Sequence, residues 1–214
     1  MAENVALRGS DGGQAFNEEA ARRGRVQKMT SLNIEQFKER VASFPWQGEI
    51  TSFHVHHTAD PAASWKGAAS VESIRKYHVD VRKYRDFAQH VTLGPDGSIW
   101  LGRDWNWAPA SATGHNGHDY QKRPFMVETF GNFLIDRLEG AQLANLVLMI
   151  AAIQERFGLP PEAIDFHKEM QATQCPGNLD KADLIEQVRI ARTPEVQPLP
   201  PEASVIRRII VWFR

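Results

Sequence analysis

One long segment, EGAQLANLVLMIAAIQERFG, constrains the fold of this chain more than any other feature. Its length and apolar content predict a helix, with Gly158 at the end and Pro160 just beyond as stop signals. Two earlier segments, EITSFHVHHT and PFMVETFGNF, are rich in β-branched and aromatic residues and predict strands. Strands interspersed with helices indicate an α/β fold.

The remaining pattern adds shorter elements. SLNIEQFKERVASF predicts an amphipathic helix from Ser31, and SVESIRKYHVD and NLDKADLIEQVRIAR predict two more helices. FAQHVTLGPDGSIWLGR predicts a hairpin, because Pro-Asp-Gly supplies turn residues between two apolar runs. The segment from Asp104 to Pro124 and the segment FHKEMQATQCPG are predicted to be loops.

Composition sets the domain organisation. The 214 residues are 42% hydrophobic and 24% charged, which is enough to bury one good-sized core. We expect an N-terminal arm over 1–30, one domain over 31–192, and a Pro-rich linker with a short tail over 193–214. The net charge of -1 gives no basic field, so we expect no nucleic-acid partner.

The C-terminal tail allows two interpretations. Its apolar residues would share one helical face beside arginines, a pattern that would suit contact with a membrane surface. The shortness of the tail favours the second interpretation, that it packs on its own domain or on a partner chain. The residues concerned are Val205, Ile206, Ile209, Ile210 and Phe213, with Arg207, Arg208 and Arg214.

The single cysteine, Cys175, excludes a disulfide within the chain, so its thiol is an inert core group, a nucleophile or a metal ligand. His167 lies eight residues earlier, and one irregular loop could bring both side chains to a common point. His56 lies near the end of a predicted strand, where a rigid backbone could hold a third ligand. Zinc takes sulfur and imidazole ligands and keeps a position open in catalytic sites.

Strand alternation decides between the neighbouring histidines. His54 and His56 share one face, whereas His57 points with Phe53 and Val55 toward the core. This favours His56 as the ligand, with His54 nearby, and predicts that His57 is a hydrogen-bonded core histidine. The rival use of Cys175, a cysteine and histidine nucleophilic pair, leaves the histidine cluster without a role.

Six segments occur in an order that is typical of one family: HVHHTADP, IRKYH, QHVTLGPDGSIWLGR, GHN, MVETFGNF and FHKEMQATQCPG. Together they resemble the zinc-dependent N-acetylmuramoyl-L-alanine amidases of type 2, which include phage lysozyme-like amidases and peptidoglycan recognition proteins. The resemblance covers about residues 48–190. It implies a single domain with a central mixed sheet flanked by helices and a zinc site in a surface groove.

The resemblance also implies site residues. His56, His167 and Cys175 would hold Zn²⁺, and Glu128 would assist the attacking water. Thr173 matches a position close to the reacting carbonyl. The chain departs from the family at Gln89, where many members have tyrosine.

Thr173 and Gln89 are expected to donate hydrogen bonds to the developing oxyanion or to the substrate carbonyl, while Glu128 carries the proton transfer. A second departure places Ser111 where histidine is usual, although Gly114 and Asn116 fit the family pattern. Four loop residues are candidates for the wall that binds glycan and peptide, although each tryptophan is as readily explained by packing. These are Trp105, Trp107, His115 and Asn116.

The implied reaction is hydrolysis of the amide between N-acetylmuramic acid and L-alanine in peptidoglycan. The alternatives are a module that binds peptidoglycan without cutting it and a hydrolase that uses Cys175 as nucleophile. We expect a monomer. With no signal peptide or run of about 18 apolar residues visible, we expect cytoplasmic synthesis. The protein would then act as a released endolysin, an exported toxin or a cytoplasmic recycling enzyme.

Overall fold

The computed structural model describes residues 29–193. The predicted arm and tail therefore lie outside the described residues, apart from Met29, Thr30 and Thr193. The strands are β1 (Ser31–Leu32), β2 (Ile50–His57), β3 (Val91–Leu93), β4 (Ile99–Leu101), β5 (Arg123–Thr129) and β6 (Ile164–Phe166). The helices are α1 (Ile34–Ser43), α2 (Ala68–Lys76), α3 (Gly140–Phe157), α4 (His167–Met170) and α5 (Lys181–Ala191), with a 3-10 turn over Ala62–Ser64 and a π turn over Tyr77–Val81.

The six strands form one mixed sheet in the order β1-β4-β3-β5-β2-β6. Strands β3, β5, β2 and β6 are parallel, whereas β4 runs antiparallel to β3 and β1 antiparallel to β4. The predicted hairpin is confirmed as β3 and β4. The fold is a single α/β domain with a mixed sheet, as expected.

The core lies between the sheet and α3, which packs against β2, α1 and α5. Val55, Val127 and Val91 stand side by side in three neighbouring strands and are fully buried in this core. Because side chains alternate along a strand, the residue that follows each valine faces the opposite side of the sheet. The register of the sheet thus places His56, Glu128 and Thr92 in a second row, on the face that points away from α3.

Two short elements differ from the predictions. Helix α1 begins after Asn33 rather than at Ser31, because the Asn33 carboxamide accepts a hydrogen bond from the Gln36 amide and the Gln36 side chain accepts one from the Asn33 amide. Ser31 instead pairs with Trp100 in the sheet. The loop predicted around His167 contains the helical turn α4, directly after β6.

The long segment between β4 and β5 has no regular structure, as predicted. The buried side chain of Arg123 holds this segment in place. The Arg123 guanidinium is 1% exposed and donates to the carbonyl oxygens of Trp105, Gln47 and Gln121 at 2.7–3.0 Å. A buried cation must have its donors satisfied, and here carbonyl oxygens of the loops satisfy them. The loop is therefore anchored at the base of β5.

Within residues 29–193, no helix combines the length and the apolar character needed to cross a bilayer.

Candidate metal centre

His56, His167 and Cys175 converge at one end of the sheet. Their ligand atoms all lie within 4.8 Å of one another, and the Cys175 sulfur is 3.7 Å from Nδ1 of His56. The imidazole rings of His56 and His167 are 4.4 Å apart between centroids. The structure therefore brings together the three residues that the sequence predicts as zinc ligands.

Neighbouring parallel strands position the two histidines. Val55 in β2 pairs with Phe166 in β6, so the next residue of each chain segment, His56 and His167, emerges at the same level. Cys175 returns to this point after α4, where its carbonyl oxygen accepts from the Lys168 amide at 2.7 Å. Its sulfur accepts from the His57 amide at 3.3 Å, which ties the cysteine directly to the end of β2.

The donor set fits zinc. Tetrahedral zinc with normal Zn–S and Zn–N bonds separates its sulfur and nitrogen ligands by roughly 3.5 Å, close to the separation of the Cys175 sulfur and His56. Nε2 of His167 lies 2.9 Å from Oε1 of Gln171, which leaves Nδ1 for a metal and supplies the outer hydrogen bond that orients ligating histidines. Zinc held by these three protein ligands would keep a fourth position for water or substrate.

Burial sets the protonation states at this centre. Burial, followed by the charge of His167, holds the pKa of His56 well below its usual range, so the imidazole is neutral and has a lone pair to offer. Burial raises the pKa of the Cys175 thiol to about 12. Without a cation the thiol is therefore protonated, and a bound divalent cation would favour the thiolate.

Glu128 lies beside the centre, opposite His56 in the register of β2 and β5. Its atom Oε2 is shielded from solvent and has no hydrogen-bond partner among the described residues. Burial, with a smaller effect of Asp60, raises the pKa of the Glu128 carboxyl to about 8. A buried strand carboxyl group with a raised pKa, beside a cluster of candidate metal ligands, is a candidate for proton transfer.

A groove of about 710 Å³ is lined by Glu128 and by residues of α2, whereas the three clustered ligands do not line it. Its lining is rich in hydroxyl groups and includes opposite charges at Asp60 and Lys66. The hydroxyl-bearing residues are Thr58, Ser64, Ser70, Ser73 and Tyr77. The groove is thus suited to a polar substrate with several hydrogen-bonding groups.

Thr173 and Gln89 occupy different surroundings. Thr173 is exposed, and its hydroxyl accepts from the Cys175 amide at 3.2 Å, so it lies at the metal end of the site. Gln89 is fully buried, does not line the groove, and donates through Nε2 to the Thr92 hydroxyl at 2.8 Å. Its Oε1 has no partner among the described residues.

The proposed substrate wall requires a correction at Trp105. This indole is 2% exposed and packs with Phe37, Trp46 and Phe125 in the hydrophobic core, so it cannot contact a ligand in the groove. Trp107 is partly buried under the Arg85 guanidinium, 3.6 Å from the ring centroid, and does not line the groove either. Aromatic residues in a polar loop gave no sign of which ring would turn inward.

His115 and Asn116 lie in a turn that approaches the metal centre. His115 is exposed, and Asn116 accepts from the Ala112 amide at 3.0 Å to hold the turn. Gln171, the partner of His167, also contacts the carbonyl oxygen of Thr113 in this turn at 3.5 Å. The sequence gave no signal for Gln171, because its role depends on the contact between two distant segments.

The other buried histidines among the described residues have structural partners. Nδ1 of His57 accepts from the Phe133 amide at 3.3 Å, which confirms the predicted hydrogen-bonded histidine. His90 joins the Trp107 carbonyl and the Met126 amide, and His78 accepts from the Ala88 amide. His54 lies 3.5 Å from Asp165 through Nε2, with its ring 6.3 Å from that of His56.

Several known proteins are similar to this chain in sequence. The mouse N-acetylmuramoyl-L-alanine amidase is 32% identical over 152 residues, which is 65% of this chain but 28% of the relative. The Drosophila melanogaster peptidoglycan-recognition protein SC2 is 28% identical over 58% of this chain and 66% of its own. This chain thus spans less than a third of the mammalian relative.

Solved structures show the same fold. The endolysin amidase LysCS of Clostridium intestinale matches with a TM-score of 0.55 at 23% identity, covering 65% of this chain and 82% of its own. Bumblebee PGRP-SA matches with a TM-score of 0.54 at 23% identity, covering 65% and 83%. A sequence profile of the family described as N-acetylmuramoyl-L-alanine amidase matches residues 46–178. The chain belongs to the N-acetylmuramoyl-L-alanine amidase family.

Proposed function

We propose that this chain is a zinc-dependent amidase that hydrolyses the bond between N-acetylmuramic acid and L-alanine in peptidoglycan. The observation that carries this proposal is the placement of Glu128 beside the His56, His167 and Cys175 cluster and in the lining of a groove. A recognition module needs the groove, but it needs neither a three-ligand set nor a carboxylate beside that set. We further propose a cell-wall lytic role.

The chemistry follows from these residues. Zinc held by the three ligands would supply a Lewis acid that polarises the substrate carbonyl and acidifies water. Glu128 would accept a proton from the attacking water at Oε2 and deliver it to the departing amine of L-alanine. A nearby divalent cation stabilises the carboxylate form and so counteracts the burial that raises its pKa.

The remaining groups bind and orient. The Thr173 hydroxyl, at the metal end, would donate to the oxygen of the scissile carbonyl as charge develops there. Hydroxyl groups and Lys66 along the groove would bind the polar stem peptide. A mutant of Drosophila PGRP-LB, a protein of the same fold, has been solved in complex with tracheal cytotoxin.

The environment of Cys175 disfavours the cysteine-hydrolase alternative. Its sulfur is buried, and the pKa of the thiol is raised to about 12, whereas a nucleophilic cysteine needs a lowered pKa. The peptidoglycan-binding alternative predicts sedimentation with cell walls and no new peptides.

Product analysis separates these functions. Purified protein, loaded with zinc, is incubated with isolated peptidoglycan, with and without a chelator, and the soluble products are identified by mass spectrometry. Free stem peptides that begin with L-alanine, absent after chelation, are the expected result. Wall binding without such peptides would instead establish a recognition module, and release that persists after chelation would point to the cysteine.

A further inference from the structure

We propose that Gln89 and Thr92 form a buried hydrogen-bond chain that positions the Glu128 carboxylate for proton transfer. This inference rests on the proposed function of Glu128. Thr92 is fully buried in β3, and its hydroxyl oxygen accepts from Nε2 of Gln89 at 2.8 Å. The two residues are positioning residues, because neither lines the groove.

The register of the sheet places Thr92 next to Glu128. The two residues are direct partners across β3 and β5, one position after the buried pair Val91 and Val127. Those valines face α3, so Thr92 and Glu128 face the opposite side together. The structure contains no hydrogen bond between these two side chains. Neighbouring strands lie about 4.8 Å apart, a span that rotation of the threonine and glutamate side chains can close.

The donors and acceptors of the three side chains determine the direction of the proposed hydrogen bonds, from Gln89 to Thr92 to Glu128. The Thr92 oxygen is used as an acceptor by the Gln89 amide, so its own proton is free to be donated. Oε2 of Glu128 is a buried acceptor with no partner among residues 29–193. A buried acceptor without a donor costs free energy. Thr92, the partner of Glu128 in the neighbouring strand, can supply that donor through its hydroxyl group.

The amide of Gln89 fixes the Thr92 hydroxyl. With its amide committed to Thr92, Gln89 determines the direction in which the Thr92 proton can point. A group that transfers a proton works only when it is held close to its productive geometry, and locked neighbours supply that restraint. Gln89, at the position where the family resemblance implies tyrosine, acts through Glu128 rather than on the substrate.

The first test uses two substitutions at one position. Thr92→Val keeps the shape and removes the hydroxyl, whereas Thr92→Ser keeps the hydroxyl. With a soluble muramyl peptide as substrate, Thr92→Val should lower kcat about 10- to 100-fold with KM and bound zinc unchanged, the size expected for one hydrogen bond to a charged group. Thr92→Ser should stay within about threefold of the unsubstituted protein.

A matched control lies in β5, directly after Glu128 in the sequence. Thr129 is also fully buried, and its hydroxyl has no partner among the described residues, but it faces the other side of the sheet from Glu128. Thr129→Val should leave kcat within about twofold. Equal losses for Thr92→Val and Thr129→Val, or an unchanged kcat for Thr92→Val in an active protein, would overturn the proposed chain.

A second measurement does not depend on catalysis. In the metal-free protein, Thr92→Val and Glu128→Met are combined, and the unfolding equilibrium constant is measured in urea. If the two side chains interact, the combined change should fall short of the product of the single changes by at least about threefold. Additive effects would contradict the inference, even if the protein proved to lack amidase activity, which would overturn the proposed function separately.

Discussion

His56 and Glu128 face each other across β2 and β5, on the face of the sheet that points away from α3. The ligand and the proposed base are thus carried by two hydrogen-bonded strands, whose spacing fixes their separation. They nevertheless have separate tasks, because the carboxylate is not one of the three clustered ligands. Their contributions can therefore be separated by substitution.

Replacing Glu128 with glutamine should abolish proton transfer and preserve metal binding. Glutamine has nearly the same shape but accepts no proton, so we expect kcat to fall about 10²- to 10⁴-fold. Zinc content, measured by elemental mass spectrometry, should remain at one ion per chain. Retained activity in Glu128→Gln would remove this residue from the mechanism.

Zinc should stabilise the fold. Its ligands come from β2, α4 and the segment that follows, and a ligand that binds only the folded state adds RT ln(1 + [L]/Kd), about 4 kcal/mol at a thousand-fold excess over Kd. A chelator should therefore lower the melting temperature. His167→Ala should remove this response, whereas His115→Ala, at an exposed position outside the cluster, should keep it.

Cys175 should resist alkylation. Its thiol is buried, and the pKa of about 12 leaves almost no thiolate at pH 7.5 even without metal. Iodoacetamide should modify the folded, chelated protein far more slowly than the urea-unfolded protein, as measured by intact mass. Rapid modification of the folded protein would show that the thiol is exposed and activated.

Gly177 should be needed to place the cysteine. It has a φ of 83°, and a Cβ atom there would lie 2.6 Å from the backbone of Phe133. Its carbonyl oxygen also accepts from Lys168, next to His167. Gly177→Ala should destabilise the fold by about 2–3 kcal/mol and weaken zinc binding.

Gly114→Ala is the control for this substitution. Its φ of 85° imposes similar backbone strain, but no atom lies within 4 Å of the added Cβ. We expect a loss near 1 kcal/mol and unchanged zinc affinity. Equal effects in the two variants would show that strain alone, without the contact at Phe133, decides the outcome.

Acid should destabilise the metal-free protein partly through His78. Burial, with smaller effects of Arg103 and Arg82, lowers its pKa to about 4, whereas the unfolded chain titrates near 6.5. Between these values the unfolded state binds a proton that the folded state does not, so stability falls as pH decreases. The slope is at most about 1.4 kcal/mol per pH unit for one group.

Asparagine isolates this contribution. His78→Asn keeps an acceptor for the Ala88 amide but does not titrate. From pH 6.5 to 4, urea unfolding should show a shallower decline for His78→Asn than for the unsubstituted protein. Parallel declines would assign the acid sensitivity to other groups, such as fully buried His90, whose pKa is lowered to about 3.

Much of the fold could be predicted from the sequence, because α3, β2 and β5 carry clear periodicity and long apolar content. The strands that the sequence did not predict are short. Strand β6, three residues long, becomes a strand by pairing with β2, and β1 by pairing with β4. Such pairings join segments that are distant along the chain and leave no local signal.

Some residues of the candidate site could likewise be predicted from the sequence, and others could not. Alternation in β2 predicted the outward direction of His56, and the spacing of His167 and Cys175 predicted their convergence. The burial of Trp105 and the contacts of Gln171 and Thr92 could not be predicted, since each depends on which distant segment lies alongside. Glu128 needed the family resemblance, because an acid in a strand is commonly exposed to solvent.

The alternation of β2 has a consequence for changes in chain length. One residue inserted between Phe53 and His56 would exchange the two faces of the strand beyond it, turning His56 toward α3 and a valine toward the groove. The register between β2 and β5 is already irregular between Ile50 and Phe53, where an added residue can be absorbed. Single-residue insertions and deletions should therefore be tolerated before Phe53, whereas after Phe53 they should prevent both folding and activity.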